Sequence, residues 1–168
     1  LSNNLTFSDE IVEEEQKKIK NFISYLKLLD RKKIILDQNL RKQLIVQQID
    51  KVCRARKLKK KLNEKLLDEV VGLVEKPNVL VGKFDKSFLN IPKEILITSM
   101  QRHQKYFPLF DQKDNLTNVF IIVTNLEDKK GLVKIGNERV ISARLSDAKF
   151  FWEKNKTQSL IKQIANLK

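Results

Sequence analysis

One cysteine, Cys53, is all that the 168 residues contain. A single thiol excludes an internal disulfide and a cysteine-based zinc site, and it fits a reducing compartment. His103 is the sole histidine, so an ordinary transition-metal site lacks its usual donors. The four glycines, Gly72, Gly82, Gly131 and Gly136, match neither the dinucleotide fingerprint nor the P-loop pattern. No serine occupies a nucleophile elbow, and no carboxylates form the paired constellation of a hydrolase. Apolar runs are short. The longest, such as Val119–Val123, fall far below the ~20 residues that span a bilayer. No signal-peptide pattern opens the chain. It begins at Leu1 without a methionine, which reads as a piece of something longer. These absences leave no assembled active site, so the expectation is no catalytic and no metal-ligating residue.

What is present is positive charge and a sizeable apolar fraction. Hydrophobic residues make up 41%, enough for a core of one domain or one domain with a helical appendage. Lys and Arg number 34 against 21 acidic residues, a formal charge of +13. Charge of this size suits a polyanion, nucleic acid first. It equally suits a surface that simply uses lysine wherever it is exposed.

Periodicity predicts a run of helices around a few strands. Ser8 can cap a helix over Asp9–Lys20, and Phe22–Leu29 continues as helix. Lys32–Asp37, with three consecutive aliphatics, reads as a short strand. From Asp37 to about Leu62 one long helix is expected, with Ile45, Ile49, Val52 and Cys53 on one face. Asn63 and Glu64 open the next helix, which Pro77 ends. Val79–Phe84 is a strand in which Gly82 marks a bulge or a close approach. Pro92 starts a helix reaching His103. Lys105–Phe110 and Thr117–Thr124 form a hairpin across Asp111–Leu116, and Val119–Val123, apolar on both faces, reads as a central strand. A helix over Glu138–Lys154 carries Ile141, Leu145, Ala148 and Trp152 inward. A polar break at Asn155–Gln158 precedes a last helical piece.

The candidate binding residues are basic. Arg54, Arg56, Lys57, Lys59, Lys60, Lys61 and Lys65 crowd the end of the long helix more densely than its dipole requires. They read as a phosphate-facing edge or as a solvated face. Arg139 and Arg144 are committed to RNA or a partner subunit, or else Arg144 pairs with Asp147 three residues on. The rings of Phe107 and Phe110 could stack bases, but their alternation beside an apolar strand favours core. His103 reads as a helix-end residue before a general base, and Cys53 as inert packing.

Seven pieces in order carry a more specific signal: LVEKP, GKFDKSFL, P-KEIL, M-x-x-HQKYFP, IIVTN, GNERV and ARLSDAKFFW. Together they resemble the beta subunit of bacterial glycyl-tRNA synthetase, over about Leu67 to Asn155. The upstream LDRKKIILDQNLRKQLI resembles it more loosely. The resemblance implies three portions. These are a mostly helical basic segment over residues 1–66, an α+β core over 67–155, and the start of a helical region over 156–168. It implies a B3/B4-type fold, a small mixed or antiparallel sheet with flanking helices. It implies a cytoplasmic two-component enzyme, a tetramer of two alpha and two beta subunits, in which the alpha subunit uses ATP and magnesium to activate glycine. The implied partners are that alpha subunit and tRNA(Gly). No catalytic residue of the family carries over to this stretch. A docking module for the alpha subunit without tRNA contact is the alternative.

Overall fold

The computed structural model describes residues 22–157. The helix expected over Asp9–Lys20 and the piece after Gln158 lie outside them. Among the described residues, five helices and a four-stranded antiparallel sheet give an α+β architecture, in the order α1 (Phe22–Lys32), α2 (Gln38–Arg56), β1 (Lys59–Lys60), α3 (Glu64–Leu73), β2 (Asn78–Lys83), α4 (Lys93–Thr98), β3 (Phe107–Phe110), β4 (Leu116–Thr124) and α5 (Leu132–Thr157). A 3-10 turn at Lys86–Asn90 precedes α4, and a π turn over Ser99–His103 extends it. The sheet order is β1-β3-β4-β2.

β4 sits centrally, as its two-faced apolar sequence predicts, and successive residues supply opposite layers. Ile121, with Phe107 and Leu109 of β3, packs against Ile45 and Ile49 of α2 and Leu67 and Val70 of α3. Phe120 and Ile122 point the other way, against Leu96, Met100 and the α5 residues Ile141 and Leu145. The molecule is thus helices, sheet, helices. Each fully buried aliphatic or aromatic side chain stabilises it by about 1.5–3 kcal/mol. The first core joins residues on both sides of position 66.

Gly82 is a close approach. A Cβ there would sit 2.4 Å from Cζ of Phe120, its cross-strand partner. Both sheet edges are short or partly covered. β1 is two lysines long. On the outer edge of β2, the backbone N–H of Val79 donates to Gln48 Oε1 at 3.2 Å and that of Lys83 to Glu138 Oε1 at 2.7 Å. Such cover denies a free edge to another chain.

Four expectations are corrected. Lys32–Asp37 contains no strand: α1 runs through Lys32, and the extended stretch after it makes one backbone bond to a distant segment, Ile35 N–H to the Glu75 carbonyl at 2.8 Å. One bond is not a ladder. The long helix does not reach Leu62. It stops at Arg56, because Lys57 turns left-handed at φ 54° and the Leu58 N–H bonds back to the Cys53 carbonyl. α5 starts six residues before Glu138, where Asp128 accepts from the N–H groups of Val133 and Lys134 at 3.0 and 2.9 Å. It also runs through Asn155 to Thr157, with no break at the polar residues.

Candidate nucleic-acid interface

The early end of α2 divides the basic stretch. Arg54 and Arg56 lie in the last turn, Lys57 is its left-handed cap, and Lys59 and Lys60 are strand residues paired with Phe110 and Leu109. An open groove of about 590 Å³ runs between the helix end and β1, lined by Asp50, Arg54, Lys57, Leu58, Lys59 and Lys60. Gln112, from the β3–β4 hairpin, closes one side and donates to the Lys57 carbonyl at 2.7 Å.

The lysines on the strand, and Lys61 just after it, are engaged within the chain. Lys59 Nζ donates to the Gln112 carbonyl at 2.8 Å and lies 3.5 Å from Asp114. Lys60 pairs with Asp50 at 2.7 Å. Lys61 lies 3.7 Å from Asp114 and 4.8 Å above the Phe110 ring, a cation–π contact. Arg54, Arg56 and Lys57 are exposed, and no ion pair among the described residues holds their side chains. The groove therefore has a fixed basic wall and an unengaged basic rim. Gln112 is the residue that sequence reasoning missed. Its only signal was its place in a polar hairpin tip, which says nothing about the helix end it meets.

Lys65 belongs elsewhere. With Arg102, Lys105 and Glu69 it lines a second hollow of about 340 Å³. There Lys105 bonds Glu69, whose carboxyl it holds below the usual range. Arg139 and Arg144 are exposed on α5, which packs on the opposite face of the sheet from α2 and α3. No ion pair joins Arg144 to Asp147 among the described residues. The structure thus takes Lys65 away from the basic edge at the end of α2, and keeps Arg139 and Arg144 on a third surface.

The aromatic run of β3 is core, as its alternation indicates. Tyr106, Phe107 and Phe110 are buried, and Tyr106 stacks on Phe120 with centroids 4.9 Å apart. Burial pushes the Tyr106 phenol up to about 12. Cys53 is buried on α2, which raises its thiol above the ordinary value. His103 is exposed at the end of the π turn. Among the described residues, no group of three or more His, Cys, Asp or Glu side chains could hold a metal, and no helix is long and apolar enough to cross a membrane.

A family model described as glycyl-tRNA synthetase beta subunit matches residues 1–168. This chain belongs to that family. Proteins named glycine--tRNA ligase beta subunit are similar to it in several bacteria. That of Janthinobacterium sp. (strain Marseille) is 50% identical over 106 residues, 62% of this chain and 15% of the relative. That of Syntrophomonas wolfei is 43% identical over 145 residues, 86% of this chain and 21% of the relative. That of Rickettsia canadensis is 35% identical over 167 residues, 99% of this chain and 25% of the relative. The chain thus spans about a fifth of the length of the curated relatives it matches.

The motifs that carry the family resemblance meet one another in space. Asn125, ending IIVTN, accepts from the N–H groups of Glu75 and Lys76 in LVEKP at 2.8 and 3.0 Å. Tyr106 of HQKYFP donates to Asn137 of GNERV. Glu138 of the same motif takes the Lys83 N–H of GKFD. These polar residues hold the scaffold together. The stretch that departs from this pattern is the end of α5, where Phe150 and Phe151 are each 61% exposed.

Proposed function

We propose that this chain supports the attachment of glycine to tRNA(Gly) as part of a cytoplasmic glycyl-tRNA synthetase beta subunit, and that it does so by contacting the tRNA phosphate backbone. Catalysis belongs to the alpha subunit, which uses ATP and magnesium, in an assembly of two alpha and two beta subunits. The observation that carries the RNA reading is the rim of Arg54, Arg56 and Lys57, exposed beside a groove whose inner lysines are already neutralised by Asp50 and Asp114. Unpaired cations at the surface are what a phosphate can engage at little desolvation cost.

The test is tRNA affinity across a salt series for two charge reversals, Arg54→Glu/Arg56→Glu/Lys57→Glu and Lys59→Glu/Lys60→Glu/Lys61→Glu. The rim reversal weakens binding and lowers the salt slope by about 0.7–0.9 for each phosphate no longer engaged. The strand reversal acts mainly through stability, since it places new carboxylates beside Asp50 and Asp114. Unchanged tRNA affinity in a folded rim variant overturns the reading. A second reading, docking on the alpha subunit without RNA contact, is favoured by the exposed phenylalanines of α5. Alpha-subunit affinity measured on the rim reversal and on Phe150→Ser/Phe151→Ser separates the two.

A further inference from the structure

α5 is apolar on two opposite sides. One side carries Ile141 and Leu145, fully buried against the sheet. The other carries Leu132, Val140, Phe150 and Phe151, exposed by 66, 44, 61 and 61%. Gly136 and Ala143, small and also exposed, lie between them. The spacing 132, 136, 140, 143, 147, 150/151 is the three-and-four step of one helical stripe. Over about 19 residues the stripe runs roughly 28 Å. A helix apolar on opposite sides is a helix between two layers, and only one layer is present among the described residues.

We propose that this stripe seats a second helical layer supplied by the remaining polypeptide of the beta subunit, an amphipathic segment with carboxylates along its margins. The inference rests on family membership and is independent of the RNA reading. Three observations support that occupant. The curated relatives are about four to seven times longer than the segment they share with this chain, so most of the subunit lies outside it. Gly136 and Ala143 leave nothing that would hold a neighbouring helix away, and a Cβ at Gly136 meets no atom within 4 Å. Arg139 and Arg144 flank the stripe, and no ion pair among the described residues holds them, so carboxylates on a covering segment complement them.

RNA fits the stripe less well. Leu132, Val140 and Ala143 offer aliphatic surface that bases and phosphates do not use. Asp147 stands in the middle of the stripe and repels phosphate, and a covering segment meets it with a cation or a hydrogen-bond donor. Phe150 and Phe151 meet edge to face, with centroids 5.6 Å apart at 74°, which presents no parallel platform for successive bases.

The test uses Ala143→Cys at the centre of the stripe, since the native Cys53 is buried. Maleimide labelling is followed in the 168-residue chain, in a full-length beta subunit containing it, and in that subunit with alpha subunit or with tRNA added. Lys113→Cys, at the exposed hairpin tip and outside the groove lining, is the control that stays accessible in the subunit alone. The proposal expects Ala143→Cys to label on the order of tenfold more slowly in the full-length subunit alone than in the isolated chain. Equal rates in the two overturn it. Protection that appears only with alpha subunit assigns the stripe to that partner, and protection only with tRNA assigns it to nucleic acid; both overturn it. As a second measurement, Phe150→Ser/Phe151→Ser lowers the thermal midpoint of the full-length subunit and leaves that of the isolated chain unchanged. An equal effect on both also counts against it. The salt series on the Arg54–Lys57 rim succeeds or fails separately.

Discussion

The phenol of Tyr106, at the start of the central hairpin, donates its hydrogen bond to the side-chain oxygen of Asn137 on α5. Asn137 in turn donates to the Val133 carbonyl one turn back at 2.7 Å. The pair ties the sheet to the helix through a part-buried polar link. Tyr106→Phe keeps the ring stack on Phe120 and strands the Asn137 oxygen, so stability falls by about 1–2 kcal/mol, read by denaturant unfolding. The pH dependence has a definite sign. The folded phenol sits at about 12 against about 10 when unfolded. The raised value means that its contribution is complete below pH 10 and is lost as pH rises towards 12. Tyr106→Phe removes that part of the alkaline loss, and a full-sized alkaline loss in the variant contradicts the assignment.

Gly82 and Phe120 set a steric requirement across β2 and β4. Gly82→Ala forces its methyl into the Phe120 ring and destabilises by about 1–3 kcal/mol, because a buried ring between two layers has little room to move. Adding Phe120→Leu relieves the clash. The double variant therefore loses less than the sum of the two single losses, which a double-mutant cycle measures.

Two helices end on lysines in the left-handed region, Lys33 at φ 58° and Lys57 at φ 54°. Glycine adopts that conformation without the Cβ clash. Lys33→Gly and Lys57→Gly each raise stability by about 0.5–1 kcal/mol, visible as a higher thermal midpoint. Only Lys57→Gly also weakens tRNA binding, since only Lys57 lies on the proposed rim. Equal RNA affinity in both variants detaches the rim from that role.

Asp111 organises the β3–β4 turn. Its carboxylate accepts from the backbone N–H groups of Lys113 and Asn115 at 2.8 and 2.9 Å and from the Asn115 side chain at 3.0 Å. The Asn115 side chain, followed by these backbone donors, holds its pKa below the ordinary value. A depressed folded pKa means the contribution is present above the unfolded value and fades as pH falls below about 4. Asp111→Ala lowers the thermal midpoint at pH 7, and its deficit against the parent shrinks on acidification through that range. A deficit that stays constant down to pH 2 contradicts the mechanism.

Much of the scaffold was legible because its signals are local. Asn63 followed by an apolar stripe at helical spacing announces α3, and the Asn63 side chain does accept from the Leu66 N–H. The continuous apolar run of β4 announces a strand covered on both faces, and Ile121 and Phe120 take opposite sides. Gly82 in a strand announces a bulge or a close approach, and only the structure decides which and to which ring. The basic surface was less legible. Charge density in Arg54–Lys65 is a one-dimensional quantity, and it carries no record of which lysines find a carboxylate.

By itself the sequence determined most of the element types, a central strand covered on both faces, the family, and the positive charge that any partner meets, because periodicity, capping and composition act between near neighbours. Tertiary structure alone decided where the long helix stops and which cations stay unengaged. Lys59 and Lys60 leave the helix because β3 offers Phe110 and Leu109 as strand partners about fifty residues later. Once there, they are held by Asp50, Asp114 and the Gln112 carbonyl. Pairing across that distance depends on the closed fold, which brings together groups that no local pattern relates. The same closure turns one side of α5 inward and leaves the stripe from Leu132 to Phe151 facing out.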